Sequence, residues 1–159
     1  MQINYLGKGE FEIKTKNAVV YAGEQTKIGQ FILPGEGEYE VAEVQVQVID
    51  SIQVFNIEGM NLAYIGKKKS LKDKEAEEIN GVDILLLPIG GGDYFDPKQA
   101  LNAISQIEPK IVIPMQYESV DEFIKAGSLH PETLDSLKIV KSQIGEEDQK
   151  KVIILNAKN

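Results

Sequence analysis

The chain of 159 residues contains no cysteine, no tryptophan and a single histidine. Without cysteine there is no disulfide scaffold, thiolate zinc knuckle, iron–sulfur centre or thiol nucleophile. His130 alone cannot assemble a histidine-rich metal cluster, which also disfavours serine–histidine chemistry within one chain. Positive charge is scarce: 17 Lys+Arg stand against 25 Asp+Glu, for a net charge of −8 and a pI of about 4.8. That balance argues against nucleic acid or an anionic membrane as the main partner, since both require a concentrated positive surface. Lys67-Lys68-Lys69 is the one basic run, too short to reverse the judgement, and reads as a solvated turn. No segment approaches the ~20 apolar residues that span a bilayer. The start, Met1-Gln2-Ile3-Asn4-Tyr5, lacks a basic head followed by an apolar stretch. The expectation is a cytoplasmic protein folded as one domain over residues 1–159, a length close to the commonest domain size of about 100–150 residues.

What is present changes character near Gly66. Before it, short apolar runs at Gln2 to Leu6, Glu10 to Lys14, Ala18 to Ala22 and Gln30 to Leu33 are separated by glycine or polar turns, as strands are. Tyr39 to Val48 alternates most clearly, with Val44, Val46 and Val48 on one face and Glu43, Gln45 and Gln47 on the other, and predicts one half-buried antiparallel strand. Ile52 to Ile57 and Asn61 to Ile65 read as a hairpin turning at Glu58-Gly59. Beyond Gly66, strands alternate with helices. Helices are predicted at Asp73 to Ile79, Pro97 to Ile107, Val120 to Lys125 and Glu132 to Leu137, and buried strands at Val82 to Pro88, Ile111 to Pro114 and Lys151 to Leu155. Asp96 caps the second helix, whose apolar stripe is Ala100, Leu101, Ile104 and Ile107. The strands on either side of that helix form a β-α-β crossover with parallel pairing. Two sheets with helices packed outside them follow from this order.

Three segments are candidate sites. Glu36, Glu38 and Glu40 fall at alternate positions, so an extended chain projects them to one side, either as oxygen ligands for calcium or magnesium or as an acidic edge that resists pairing. The edge is the simpler reading. Gly90-Gly91-Gly92-Asp93 leaves a buried strand ahead of a helix, where backbone N–H groups can meet an anion; it has neither of the glycine spacings that mark nucleotide loops. His130 precedes Pro131 with no nucleophile or orienting carboxylate at recognisable spacing, and reads as a surface or capping residue.

Several segments, in order, resemble one family. They are Tyr5-Leu6-Gly7 with Phe11-Glu12-Ile13, Gly35-Glu36-Gly37-Glu38-Tyr39-Glu40-Val41, Tyr64-Ile65-Gly66, Val82 to Gly91, and Glu108-Pro109-Lys110-Ile111-Val112-Ile113-Pro114-Met115-Gln116-Tyr117. Together they are similar to the metallo-β-lactamase fold of zinc-dependent hydrolases, in its ascorbate-lactonase-like branch. The resemblance implies an αββα sandwich, here reduced, with two mixed sheets flanked by helices. It also implies a zinc site, and there the sequence departs. Lys8 stands where relatives carry a histidine, Lys67 where an aspartate bridges metals, and Gln116 where a histidine closes the Pro-Met-His-Tyr motif. The His-x-His-x-Asp-His loop has no counterpart between Ala22 and Phe31.

An ammonium ~4 Å from a doubly charged ion, at an effective dielectric of about 20, is repelled by roughly 8 kcal/mol. A neutral amide is a poor substitute for imidazole at a borderline metal, and without zinc nothing brings a water pKa toward neutrality. The leading expectation is thus a metal-free, cofactor-free, non-catalytic relative kept as a binding or assembly module, with a protein partner or self-association through edges left uncovered by the missing loop. Lys67 is expected to fill part of the vacated pocket and pair with Asp93 or Glu118. Two alternatives remain: a hydrolase whose metal ligands are atypical or come from a partner subunit, and a binder of small anions at Gly90, Gly91, Gly92 and Asp93.

Overall fold

In the computed structural model, which describes residues 1–145 and 150–158, the chain forms two facing sheets. The first is antiparallel throughout. Strands β1 (Gln2–Gly7), β2 (Glu10–Lys14), β3 (Val19–Ala22), β4 (Lys27–Ile28) and β5 (Phe31–Ile32) follow one another across it. The second begins as an antiparallel meander of β6 (Gly37–Val41), β7 (Val44–Ile49), β8 (Ile52–Ile57) and β9 (Met60–Ile65). It continues in parallel through β10 (Ile84–Pro88) and β11 (Ile111–Met115).

Pattern explains both halves of the packing. Along β1 to β4 the residues Ile3, Ile13, Val20 and Ile28 pair across the strands and are fully buried, while the Asn4, Glu12, Tyr21 row lies on the opposite face, where Tyr21 is exposed and Asn4 is itself buried. The inner residues meet Val46, Phe55, Leu62, Ile84, Leu86 and Ile113 of the second sheet in one core. On the other face of that sheet, Ala63, Ile65, Leu85, Leu87 and Val112 form a second core with helix α2 (Pro97–Ile107) and with Phe123 of α3 (Asp121–Gly127). This is why β10 reads as an unbroken apolar run: both of its faces are covered. Asp96 caps α2 as expected, accepting from the Gln99 N–H at 2.8 Å while the Gln99 side chain accepts from the Asp96 N–H at 2.9 Å. Its buried stripe uses Ala103 where the periodicity suggested Leu101, which is half-buried. The fold class read from the sequence holds. No helix among the described residues is long and apolar enough to cross a membrane.

Two expectations are corrected. Tyr39 to Val48 is not one strand but the hairpin β6–β7, turning at Ala42 and Glu43, both with positive φ (50° and 65°). Neither residue advertises a turn, and the alternation runs through it because Tyr39 and Val41 face the same core as Val44 and Val46. Glu132 to Leu137 is not helical. Glu132–Leu134 forms β12, parallel to β14 (Lys151–Leu155), and Leu137–Lys138 forms β13 beside β1. Asp135 and Ser136 carry the chain from one sheet to the other, so open strand edges on both sides win over a six-residue helix.

A polar latch fixes α1 (Asp73–Glu78) to the β7–β8 turn. The Lys68 ammonium, 11% exposed, lies 2.8 Å from Asp50 Oδ2 and 3.0 Å from Glu75 Oε2. Burial works against its charge, but the two carboxylates outweigh that and raise the Lys68 pKa. Lys68 in turn holds the Asp50 carboxyl below its usual range. Burial opposes ionisation of Glu75 too, and the Lys72 amide with Lys68 reverses it. Lys68→Met is expected to lower stability by about 1–2 kcal/mol at neutral pH, less than for a fully buried pair because Asp50 is 60% exposed. Both carboxyls have depressed folded pKa values, so their contribution is complete above about pH 5 and fades as pH falls through those values. Urea midpoints of wild type and variant should therefore converge in acid.

Candidate functional site

Parallel pairing brings the carboxyl ends of β9, β10 and β11 to one end of the sandwich, the usual place for a site in such sheets. Lys67 follows β9, Gly90 to Tyr94 follow β10, and Gln116 follows β11. The β1–β2 turn adds Lys8 and Gly9, and the loop after β3 adds Glu24. Lys8, Gln116 and the Gly90 loop are joined by a tyrosine cluster. The Gln116 side-chain amide donates to the Lys8 carbonyl (3.0 Å) and the Tyr94 hydroxyl (3.2 Å), while its backbone N–H donates to the Tyr5 hydroxyl (3.3 Å). The Tyr5 hydroxyl also accepts from the Gly9 N–H, and the Tyr64 hydroxyl donates to the Gly9 carbonyl at 2.7 Å. A cavity of about 240 Å³ opens beside this cluster, lined by Glu24, Asp50, Gln53, Tyr64 and Lys67 among others.

Lys67 lies at the rim, its side chain 55% exposed, and pairs with Glu24 at 3.4 Å. The expected partners, Asp93 and Glu118, are not the ones used; Glu24, in the loop between β3 and β4, reaches Lys67 instead. The Glu24 carboxylate raises the Lys67 pKa, and Asp93 adds to the effect. Burial, with Tyr94 and Glu24 nearby, pushes the Tyr64 phenol well up, and burial likewise raises Tyr94. The Lys67 amine is thus kept protonated and the Tyr64 and Tyr94 phenols neutral at ordinary pH, and the carboxylates of Glu24 and Asp50 line the same cavity.

The loop carrying Glu24 is closed by buried polar groups that gave no sequence signal. Thr26 is 1% exposed and Gln53 6%. The Thr26 hydroxyl bonds the Gln53 side-chain oxygen, and Gln53 Nε2 donates to the Gly23 carbonyl at 2.7 Å. Elsewhere, the glycine loop has a packing explanation: the Gly91 N–H is taken by the Phe95 carbonyl at 2.9 Å, and Gly90 lies against the backbone of Gln116. His130 is exposed and remote from these elements in the chain. Glu36 accepts from the Asp50 N–H at 2.8 Å, and the three alternating glutamates do not converge.

Residues 6–116 match the model of the beta-lactamase superfamily domain. The chain belongs to the metallo-β-lactamase superfamily. Among curated relatives in it, a UPF0173 metal-dependent hydrolase of Carboxydothermus hydrogenoformans is 40% identical over 67 residues, which are 42% of this chain and 30% of that one. Another, from Nanoarchaeum equitans, is 45% identical over 67 residues, 41% of this chain and 31% of its own. The matched part is thus about a third of these relatives' length. A superfamily structure from Thermotoga maritima superimposes with a TM-score of 0.83 at 20% identity, covering 97% of both chains. The fold is therefore shared over nearly the whole of both chains.

A divalent metal does not fit the residues at this end. Lys8, Lys67 and Gln116 occupy the three positions where the resemblance places ligands, and the Lys67 ammonium is held there by Glu24. Among the described residues no three His, Cys, Asp or Glu side chains converge to hold an ion.

Proposed function

We propose that this chain is a non-catalytic, metal-free superfamily member that serves as a binding or assembly module, in the cytoplasm. The observation that carries the proposal is the Lys67–Glu24 pair at 3.4 Å: it puts an ammonium at the position where the family resemblance implies a metal-bridging carboxylate. The raised pKa values of Lys67 and Tyr64 keep these two side chains from serving as a replacement base at neutral pH.

The relatives' names favour a second reading, a metal-dependent hydrolase whose ligands are atypical or supplied by a partner subunit. Elemental analysis of protein purified without chelator, then dialysed against zinc or manganese, separates the two. The metal-free reading expects well below one equivalent of either, and no hydrolysis of lactone or phosphodiester substrates above background. Stoichiometric metal, or turnover that a chelator abolishes, would establish the hydrolase instead. An anion site at Gly90, Gly91, Gly92 and Asp93 is less well supported, since the Gly91 N–H is already bonded and the carboxylates of Glu24 and Asp93 stand close to Lys67.

A further inference from the structure

Strand β6 ends the eight-stranded sheet, and among the described residues only β7 pairs with it. Its free edge presents unpaired backbone donors and acceptors, the groups that accept an added strand. Different chemistry borders that edge on each face. On the outer face, cross-strand rows run Glu38, Gln47, Val54 and Glu40, Gln45, Asn56, Asn61. They line a groove of about 470 Å³. Neither Glu38 nor Glu40 has a cationic partner within 4.0 Å among the described residues. On the inner face, Tyr39 is half-buried and its ring centre lies 6.1 Å from that of Phe31, which is 42% exposed.

We propose that β6 is a docking edge for an extended segment of a partner protein in which basic residues alternate with apolar ones. A strand sends successive side chains to opposite faces. One register therefore places lysine or arginine against Glu38 and Glu40, and apolar side chains against Phe31 and Tyr39. Charge decides against a second copy of this chain as the occupant. Antiparallel self-pairing about a two-fold axis at Tyr39 sets Glu38 opposite the other copy's Glu40, twice, and like charges directly opposite are destabilising. A net charge of −8 adds long-range attraction for a basic segment. The proposal goes beyond the metal-free reading and can fail separately from it, because β6 lends no residue to the cavity beside Lys67.

The probe is a capped synthetic peptide of alternating lysine and valine, about eight residues long, followed by fluorescence anisotropy at low salt. Saturable binding is expected, weakened at least about ten-fold in the Glu38→Gln/Glu40→Gln protein and absent for the matching glutamate–valine peptide. Amide exchange should slow at residues 37–41 in the complex. No binding, binding undiminished by the double substitution, or protection confined to other strands would overturn the proposal. So would dimers of the free protein, seen by sedimentation velocity, in which the β6 amides are already protected.

Discussion

Gly90→Ala is expected to lower stability by about 3 kcal/mol or more, beyond the usual range for one added methyl group. A Cβ at Gly90 would stand 2.0 Å from the Gln116 carbonyl oxygen and 3.0 Å from its carbon, with the Tyr117 Cα at 3.2 Å. All three are backbone atoms. Neither side can yield, because β10 and β11 are paired up to Pro88 and Met115, immediately before the two loops. Gln116 is further held at φ 52° by its bonds to Lys8 and Tyr94. Gly92→Ala is the control: its φ is 70° but a Cβ there meets nothing within 4 Å, so only backbone strain of about 1–2 kcal/mol is at stake. Equal urea midpoints for the two variants would show that the loop's dihedrals, and not the approach of Gln116, require glycine. The substitution also bears on the family site, since the Gly90–Gln116 contact is what aligns the loop carrying Tyr94 with the end of β11.

Where hydrophobic period and capping chemistry coincide, the sequence was legible. Helix α2 from Pro97 to Ile107, its Asp96 cap and the hairpin at Glu58-Gly59 are all as read. The errors arise where a local signal is absent or tertiary pairing outweighs it. Ala42 and Glu43 turn a hairpin without a turn-forming residue, and Glu132 to Leu134 become a strand because β14 offers an edge beyond the reach of any local pattern. The site divides the same way. The resemblance singled out Lys8 and Gln116, and the Gln116 side-chain amide donates to the Lys8 carbonyl across 108 residues of chain. Lys67 finding Glu24 was not foreseeable, because the loop after β3 shares no motif that would register it against β9. Tyr5, Tyr64 and Tyr94 have no spacing in common and converge only through three parallel strand ends and a turn.

Gln53→Leu, a substitution of similar volume, is expected to cost about 2 kcal/mol by removing its two hydrogen bonds and leaving the buried Thr26 hydroxyl and Gly23 carbonyl with only their mutual contact at 3.3 Å. No cavity is created, so the loss reports the polar network itself. Adding Thr26→Val should then cost less than it does alone, because the hydroxyl it removes has already lost its Gln53 partner; a coupling of about 1 kcal/mol is expected from the double-mutant cycle. Additive costs would mean that the two side chains act independently and that the loop is held by its other contacts. The consequence extends to the site. Residues 23–26 are short, and Glu24 sits between the Gly23 and Thr26 anchors. Releasing those anchors frees Glu24 from Lys67, so the Lys67 pKa should fall toward the ordinary lysine value in the Gln53→Leu protein, a shift readable by NMR titration of the lysine side chain. An unchanged Lys67 titration in a destabilised variant would detach the ion pair from the Thr26–Gln53 network. A matching fall in Glu24→Gln and Gln53→Leu would show that this buried network is what holds a carboxylate beside the lysine at the metal-bridging position.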